Sequence, residues 1–226
     1  MARTLFASML VLCAMARSAH AEVKQAAADG FFLTFSAPVA ASTTKAYADV
    51  TQIQRWWDSE HTWSGKAANL SLKPEAGGCF CERWKDGSVE HGRVIMAMPG
   101  KVLRLDTSLG PLQELALKGI LTFWIKTEDS ATTLTVEYRV NGSSGSGLDQ
   151  FAPNVDEVLG AQVDRLRRYI ATGNPEPPPV EQGDEAKPDA TPGAKSDTKS
   201  DAKTPAKPKP PKKAKTPEQP AAPPGG

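Results

Sequence analysis

Residues 120–140, ILTFWIKTEDSATTLTVEYRV, and residues 148–171, LDQFAPNVDEVLGAQVDRLRRYIA, decide how this chain folds. The first stretch holds two β-prone runs about a polar turn. In its second half Leu134, Val136, Tyr138 and Val140 share one face, and Thr133, Thr135, Glu137 and Arg139 share the other. A two-residue period marks a strand buried on one side. The second stretch changes period. Phe151, Val155, Leu159, Gln162, Leu166 and Tyr169 form one helical stripe. Asp164 and Arg168 stand off it at ion-pair spacing. Pro153 kinks the helix or starts its regular part, and Gly173 followed by Pro175 stops it.

The chain before this stretch supplies the rest of a sheet. Gly30 to Ala37 is apolar and reads as a first strand. Pro38 is expected to open a helix over Val39 to Val50, and Thr51 to cap a second short helix, Gln52 to Trp57. Asn69 to Lys73 alternates. Cys79 to Trp84 and Ser88 to Met98 pair around Lys85-Asp86-Gly87, a hairpin signal. Val102 to Thr107 follows the Pro99-Gly100 turn with Leu103 and Leu105 inward. Gly110 to Gly119 is a loop with helical character, and Ile120 to Lys126 pairs with Thr132 to Val140. The register of the Cys79–Trp84 hairpin stays open. A two-residue turn at Asp86-Gly87 sets Glu82 opposite His91 and Arg83 opposite Glu90. A three-residue turn sets Glu82 opposite Glu90 and Cys81 opposite His91. A one-residue slip exchanges the faces.

The two ends differ in composition. Residues 1–21 read as a secretory signal peptide, with Arg3, the apolar run Leu5 to Met15 and the small-x-small site Ala19-His20-Ala21. Residues 22–28 read as a short linker and 29–173 as one domain large enough for its own core. In 174–226 lie 14 of the 19 prolines and no aromatic residue, a composition expected to remain disordered. Its Lys203–Lys215 block carries six lysines and no acid. Between Glu22 and Gly173 there are 16 Lys plus Arg against 18 Asp plus Glu, a net of −2, which disfavours nucleic-acid binding.

The strand ending in Ser36-Ala37-Pro38, the pair Trp56-Trp57, the glycine pair opening Gly77-Gly78-Cys79-Phe80, the Lys85-Asp86-Gly87 hairpin and the long last helix come in a telling order. That order resembles the START-like (Bet v 1-like, SRPBCC) superfamily, in its branch related to the Hsp90 ATPase activator C-terminal domain, with polyketide cyclase/dehydrase-like relatives. The resemblance covers the whole domain. It implies an α+β helix-grip fold: a curved antiparallel β-sheet wrapped around a long C-terminal α-helix, with two short helices after the first strand. It also implies an internal cavity. The activator relatives work in the cytosol, whereas the signal peptide implies export, periplasmic or secreted if the source is bacterial.

On that fold the expected ligand is a small hydrophobic or amphipathic molecule, held by Trp56, Trp57, Trp63, Phe80, Tyr138, Phe151 and Val155, with Glu82 as polar anchor. The domain reads first as a non-catalytic, monomeric carrier or sensor without a cofactor. The tail would space or tether it, and its lysine block would touch an anionic envelope surface weakly. The alternatives are a cyclase or dehydratase using Glu82 or Glu90 with His91 as acid and base, and a protein-interaction module without ligand. Cys79, Cys81, His91 and His61 are a weak metal candidate, because Cys-x-Cys is not the usual zinc spacing. The i, i+2 spacing of Cys79 and Cys81 predicts separate small buried residues or free thiols in preference to a bridge.

Overall fold

The structure is a computed structural model that describes residues 21–128 and 130–178. The expected signal peptide, apart from Ala21, and almost all of the expected disordered tail lie outside the described residues. Eight strands form one antiparallel sheet: β1 Ala21–Ala27, β2 Gly30–Val39, β3 Leu70–Leu72, β4 Cys79–Trp84, β5 Gly87–Met98, β6 Val102–Thr107, β7 Lys118–Glu128 and β8 Ala131–Asn141. Their order across the sheet is β1-β2-β8-β7-β6-β5-β4-β3. Two short helices, α1 Thr43–Thr51 and α2 Ile53–Trp56, follow β2, and α3 Leu148–Thr172 closes the domain. This is the helix-grip fold expected from the sequence.

The β7–β8 hairpin is the regular part. It pairs from Lys118↔Asn141 to Glu128↔Ala131 without a register shift. Leu134, Val136, Tyr138 and Val140 are buried, and their alternates are half-buried or exposed, so the two-residue period reports the buried face. Burying each such aliphatic side chain contributes about 1.5–3 kcal/mol before entropy is charged. The last helix closes on the sheet through Leu159, Val163, Leu166 and Ile170, all buried. Gly160 lets it approach closely, since a Cβ there would stand 3.3 Å from the Phe35 ring. Gly173 ends it in a left-handed conformation, φ 78°, with its amide bonded to Tyr169 O.

Several local expectations change. Residues 22–27 are not a linker but most of β1, paired with β2 from Ala21↔Phe35 to Ala27↔Gly30 with one register shift between Val23 and Gln25. β2 runs through Pro38 to Val39, because the proline faces Thr133 within an established ladder. The helix then starts at Thr43, with the Ser42 hydroxyl accepting from the Lys45 amide as the cap. Thr51 therefore ends α1 and does not open α2. Asp164 pairs with Arg167 at 3.0 Å, while Arg168 donates to Pro175 O.

Neither candidate register describes the β4–β5 hairpin. The turn residues are Lys85 and Asp86, so Trp84 faces Gly87 and Glu82 faces Val89. Beyond that point the ladder shifts: Cys81 faces Glu90 but Phe80 faces Gly92, leaving His91 as the extra residue of a β-bulge. His91 and Gly92 are consequently both buried in sequence. Only glycine fits the second position, as a Cβ there would meet Asp106 O at 2.5 Å.

Two residues apart in a regular strand, Cα atoms stand about 6.6 Å from each other. Cys79 and Cys81 stand 5.4 Å apart, inside the usual disulfide range, and are joined. The expectation of free thiols is thereby corrected: the two Cα atoms stand closer than a regular strand sets them.

Candidate functional site

A cavity of about 470 Å³ opens between α3, the sheet and two loops. From α3 the residues Phe151, Asn154, Val155, Val158 and Leu159 face it, one helical stripe at i, i+3, i+4, i+7 and i+8 spacing. The segment between β6 and β7 supplies Leu109 to Leu112. Here a short 3-10 turn, Gly110–Leu115, is held in place by Tyr138, whose hydroxyl accepts from the Leu109 amide and donates to Thr107 O. The loop after α2 supplies Trp57 and the stretch Glu60 to Trp63, and β3, β4 and β5 supply Leu70, Phe80 and His91. The wall is overwhelmingly apolar.

The Trp57–Ser64 loop would be floppy without its polar anchors. Its N-terminal end is fixed by Gln162 of α3, whose side-chain oxygen accepts from the Asp58 amide at 2.8 Å. Asp58 caps the 3-10 turn Ser59–His61 through the Glu60 amide, and Trp57 Nε1 donates to His61 O. Its C-terminal end is fixed by Glu82. That carboxylate is 0% exposed and accepts from the Trp63 amide at 3.1 Å and the Ser64 amide at 2.6 Å. A third bond joins its Oε2 to His91 Nε2 at 3.0 Å. Burial alone would raise the pKa of Glu82. The Ser64 hydroxyl and amide, the Trp63 amide and His91 outweigh it and hold the carboxyl below its ordinary value. Glu82 is therefore a structural anion: an acceptor for the loop and for the imidazole.

His91 stacks on Phe80, ring centroids 4.8 Å apart, and Trp57 meets the other side of this cluster edge-on to Phe80 at 6.0 Å. The bulge places the imidazole here. With a regular ladder, His91 and Gly92 would fall on opposite faces.

The sequence-predicted site residues separate into two groups. Trp57, Trp63, Phe80, Phe151 and Val155 lie on the cavity wall, together with His91. Trp56, Glu82 and Tyr138 lie behind it. Trp56 is 1% exposed and donates from Nε1 toward Asp49 O and Val50 O. Tyr138 packs on Phe31 and holds the loop as described, and its burial pushes the pKa of its hydroxyl above the ordinary value. Glu90 is on the outside, paired with Arg93 at 2.7 Å, and takes no part. The metal candidates are not assembled: Cys79 and Cys81 are bonded to one another and His91 to Glu82, while His61 sits at the exposed rim. Sequence reasoning missed Leu109 to Leu112, Asn154 and Val158. The last two were legible as i+3 and i+7 from Phe151.

No protein-family model matches the chain, and no curated protein matches it. Among solved structures, the Aha1 dimer from Colwellia psychrerythraea is similar at 17% identity over 63% of this chain and 97% of that one, TM-score 0.45. A conserved protein of unknown function from Enterococcus faecalis gives 12% identity, 64% and 74% coverage and a TM-score of 0.46. CalU16 from Micromonospora echinospora gives 16%, 66% and 78%, and 0.43. Likeness at this level concerns the chain trace alone; the helix-grip assignment stands on the strand order and α3 themselves.

Proposed function

We propose that this protein is an exported carrier or sensor that holds one small hydrophobic or amphipathic molecule in the cavity under α3. The observation that carries the reading is the cavity itself. It offers about 470 Å³, roughly fifteen water volumes, behind a wall of tryptophan, phenylalanine, leucine and valine. Water in such a space finds few partners, so its exchange for an apolar ligand is favourable. The supporting architecture points the same way: Glu82, Gln162 and Tyr138 are spent on holding the wall, not on facing its contents.

Residues 1–21 would direct export, and the tail would space the domain from an anionic envelope surface touched by its lysines. Raising the salt concentration should release such contact; surface association insensitive to salt would rule the lysines out. Native mass spectrometry of the exported form, purified gently from its host, tests the main reading. Retention of one apolar compound per chain is expected. A bare mass, with no tryptophan fluorescence change across a panel of lipids and polyketides, would favour a protein-interaction module.

A cyclase or dehydratase reading is favoured by one observation only, His91 on the wall with a carboxylate behind it. Glu82 is a poor proton donor for it, being ionised and occupied by two amides. Any turnover would depend on His91 alone, and His91→Asn would abolish it in a folded protein.

A further inference from the structure

The cavity wall carries one buried polar side chain whose bonding capacity is half used. His91 is 7% exposed, Nε2 is engaged by Glu82, and Nδ1 has no hydrogen-bond partner among the described residues. Glu82 can only accept, because its carboxylate also takes the Trp63 and Ser64 amides. When the imidazole is neutral, Glu82 therefore fixes its proton on Nε2 and leaves a lone pair on Nδ1. An apolar molecule that fills the cavity shuts water away from this acceptor and leaves it unpaired, at a cost, unless the molecule itself donates to it.

We infer that the cavity selects an apolar molecule bearing one hydroxyl group, which donates its hydrogen bond to His91 Nδ1 while the rest of the molecule lies against Trp57, Phe80, Val155 and Leu159. The inference rests on the cavity-binding reading and narrows its ligand class. Carboxylates are disfavoured, since a second anion would stand near buried Glu82 and the rim residue Glu60 in an apolar surrounding. Plain hydrocarbons fit the wall but leave Nδ1 unpaired. The difference between hydroxyl and hydrocarbon is one buried hydrogen bond, which sets the expected preference at about tenfold.

Naphthalene, 2-naphthol and 2-naphthoate probe this directly with one ring system and three polar states. In calorimetric titrations of the intact chain, 2-naphthol should bind about tenfold more tightly than naphthalene, and 2-naphthoate most weakly. His91→Phe should keep naphthalene binding and remove the preference. In the unaltered protein, the NMR signal of His91 Nδ1 should move on adding 2-naphthol and stay in place on adding naphthalene, which serves even if the variant fails to fold. Equal binding of naphthalene and 2-naphthol, or a preference for the carboxylate, overturns the hydroxyl inference while leaving the cavity reading intact. Absence of binding by all three overturns both.

Discussion

The two hairpins of this domain, β7–β8 and β4–β5, are built from the same amphipathic alternation and do different work. β7–β8 pairs over its whole length without a shift, and its inward face is mainly hydrophobes packed into the core. β4–β5 breaks register at His91, buries a carboxylate and an imidazole, and is crossed by a disulfide within one strand. The regular hairpin supplies stability. The irregular one supplies the chemistry of the wall, because a bulge is what lets a polar side chain leave the alternation and enter the cavity. The departure at His91 marks the site, whereas the shift between Val94 and Met96 in the β5–β6 ladder brings no residue to the cavity wall.

The contrast predicts a sequence of effects. The largest belongs to Glu82→Ala. It strips two amides and an imidazole of their shared acceptor, and should cost about 4 kcal/mol and loosen the Trp57–Ser64 loop, as urea unfolding and amide exchange at Trp63 and Ser64 would report. Glu82→Gln should be milder and pH-dependent. The folded carboxyl lies below its unfolded value, so its ionisation contributes stability that is fully present above about pH 4.3 and is lost as pH falls through the lower folded value. The gap between Glu82→Gln and the unaltered chain should thus narrow between pH 5 and pH 3, values chosen to bracket that ordinary carboxylate range; a gap that widens on acidification would remove Glu82 as a buried anion.

In the regular hairpin, Leu121→Ala should cost about 3 kcal/mol by leaving a void while ligand affinity stays within about twofold once the protein is folded. A tenfold loss of affinity would show that the two hairpins are not separable. Tyr138→Phe joins the two regions, because the hydroxyl holds Leu109 on the cavity rim. It should cost about 2 kcal/mol, the penalty of leaving the Leu109 amide and Thr107 O unpaired. Smallest is the replacement of Cys79 and Cys81 by serine. A three-residue loop releases little chain entropy, so about 1.5 kcal/mol is expected, with the bulge retained. Disappearance of the bulge, seen as a Phe80↔His91 register by NMR, would mean that the disulfide makes the irregularity and not the reverse.

The regular parts were legible because period alone reports them. Leu134 to Val140 and Phe151 to Tyr169 carry one face each, and the structure uses those faces. The bulge at His91 has no such signature: two readings of the turn were available, and the ladder takes Lys85-Asp86 for the turn and then slips. Pro38 misled for a related reason. Its preference for a first helical turn is local, whereas the pairing of β2 with β8 across Thr133 is long-range and wins. At the site, aromatic residues were recognisable by type, but which of Trp56 and Trp57 met the cavity depended on the rotation of a four-residue helix. Leu109 to Leu112 are held at the wall by contacts distant in sequence, among them the Tyr138 hydroxyl 29 residues from Leu109 and the Gln113 side chain on Glu90 O.

The most direct test of the account is to fill the cavity from its helical side. Val155 is half-buried on the wall, away from the Glu82–His91 pair. Val155→Trp should keep the melting temperature within a few degrees, since the new ring has empty space to occupy, and weaken naphthalene binding at least tenfold, a loss of about 1.4 kcal/mol or more. Unchanged naphthalene affinity in a folded Val155→Trp protein would place the ligand elsewhere and contradict the account.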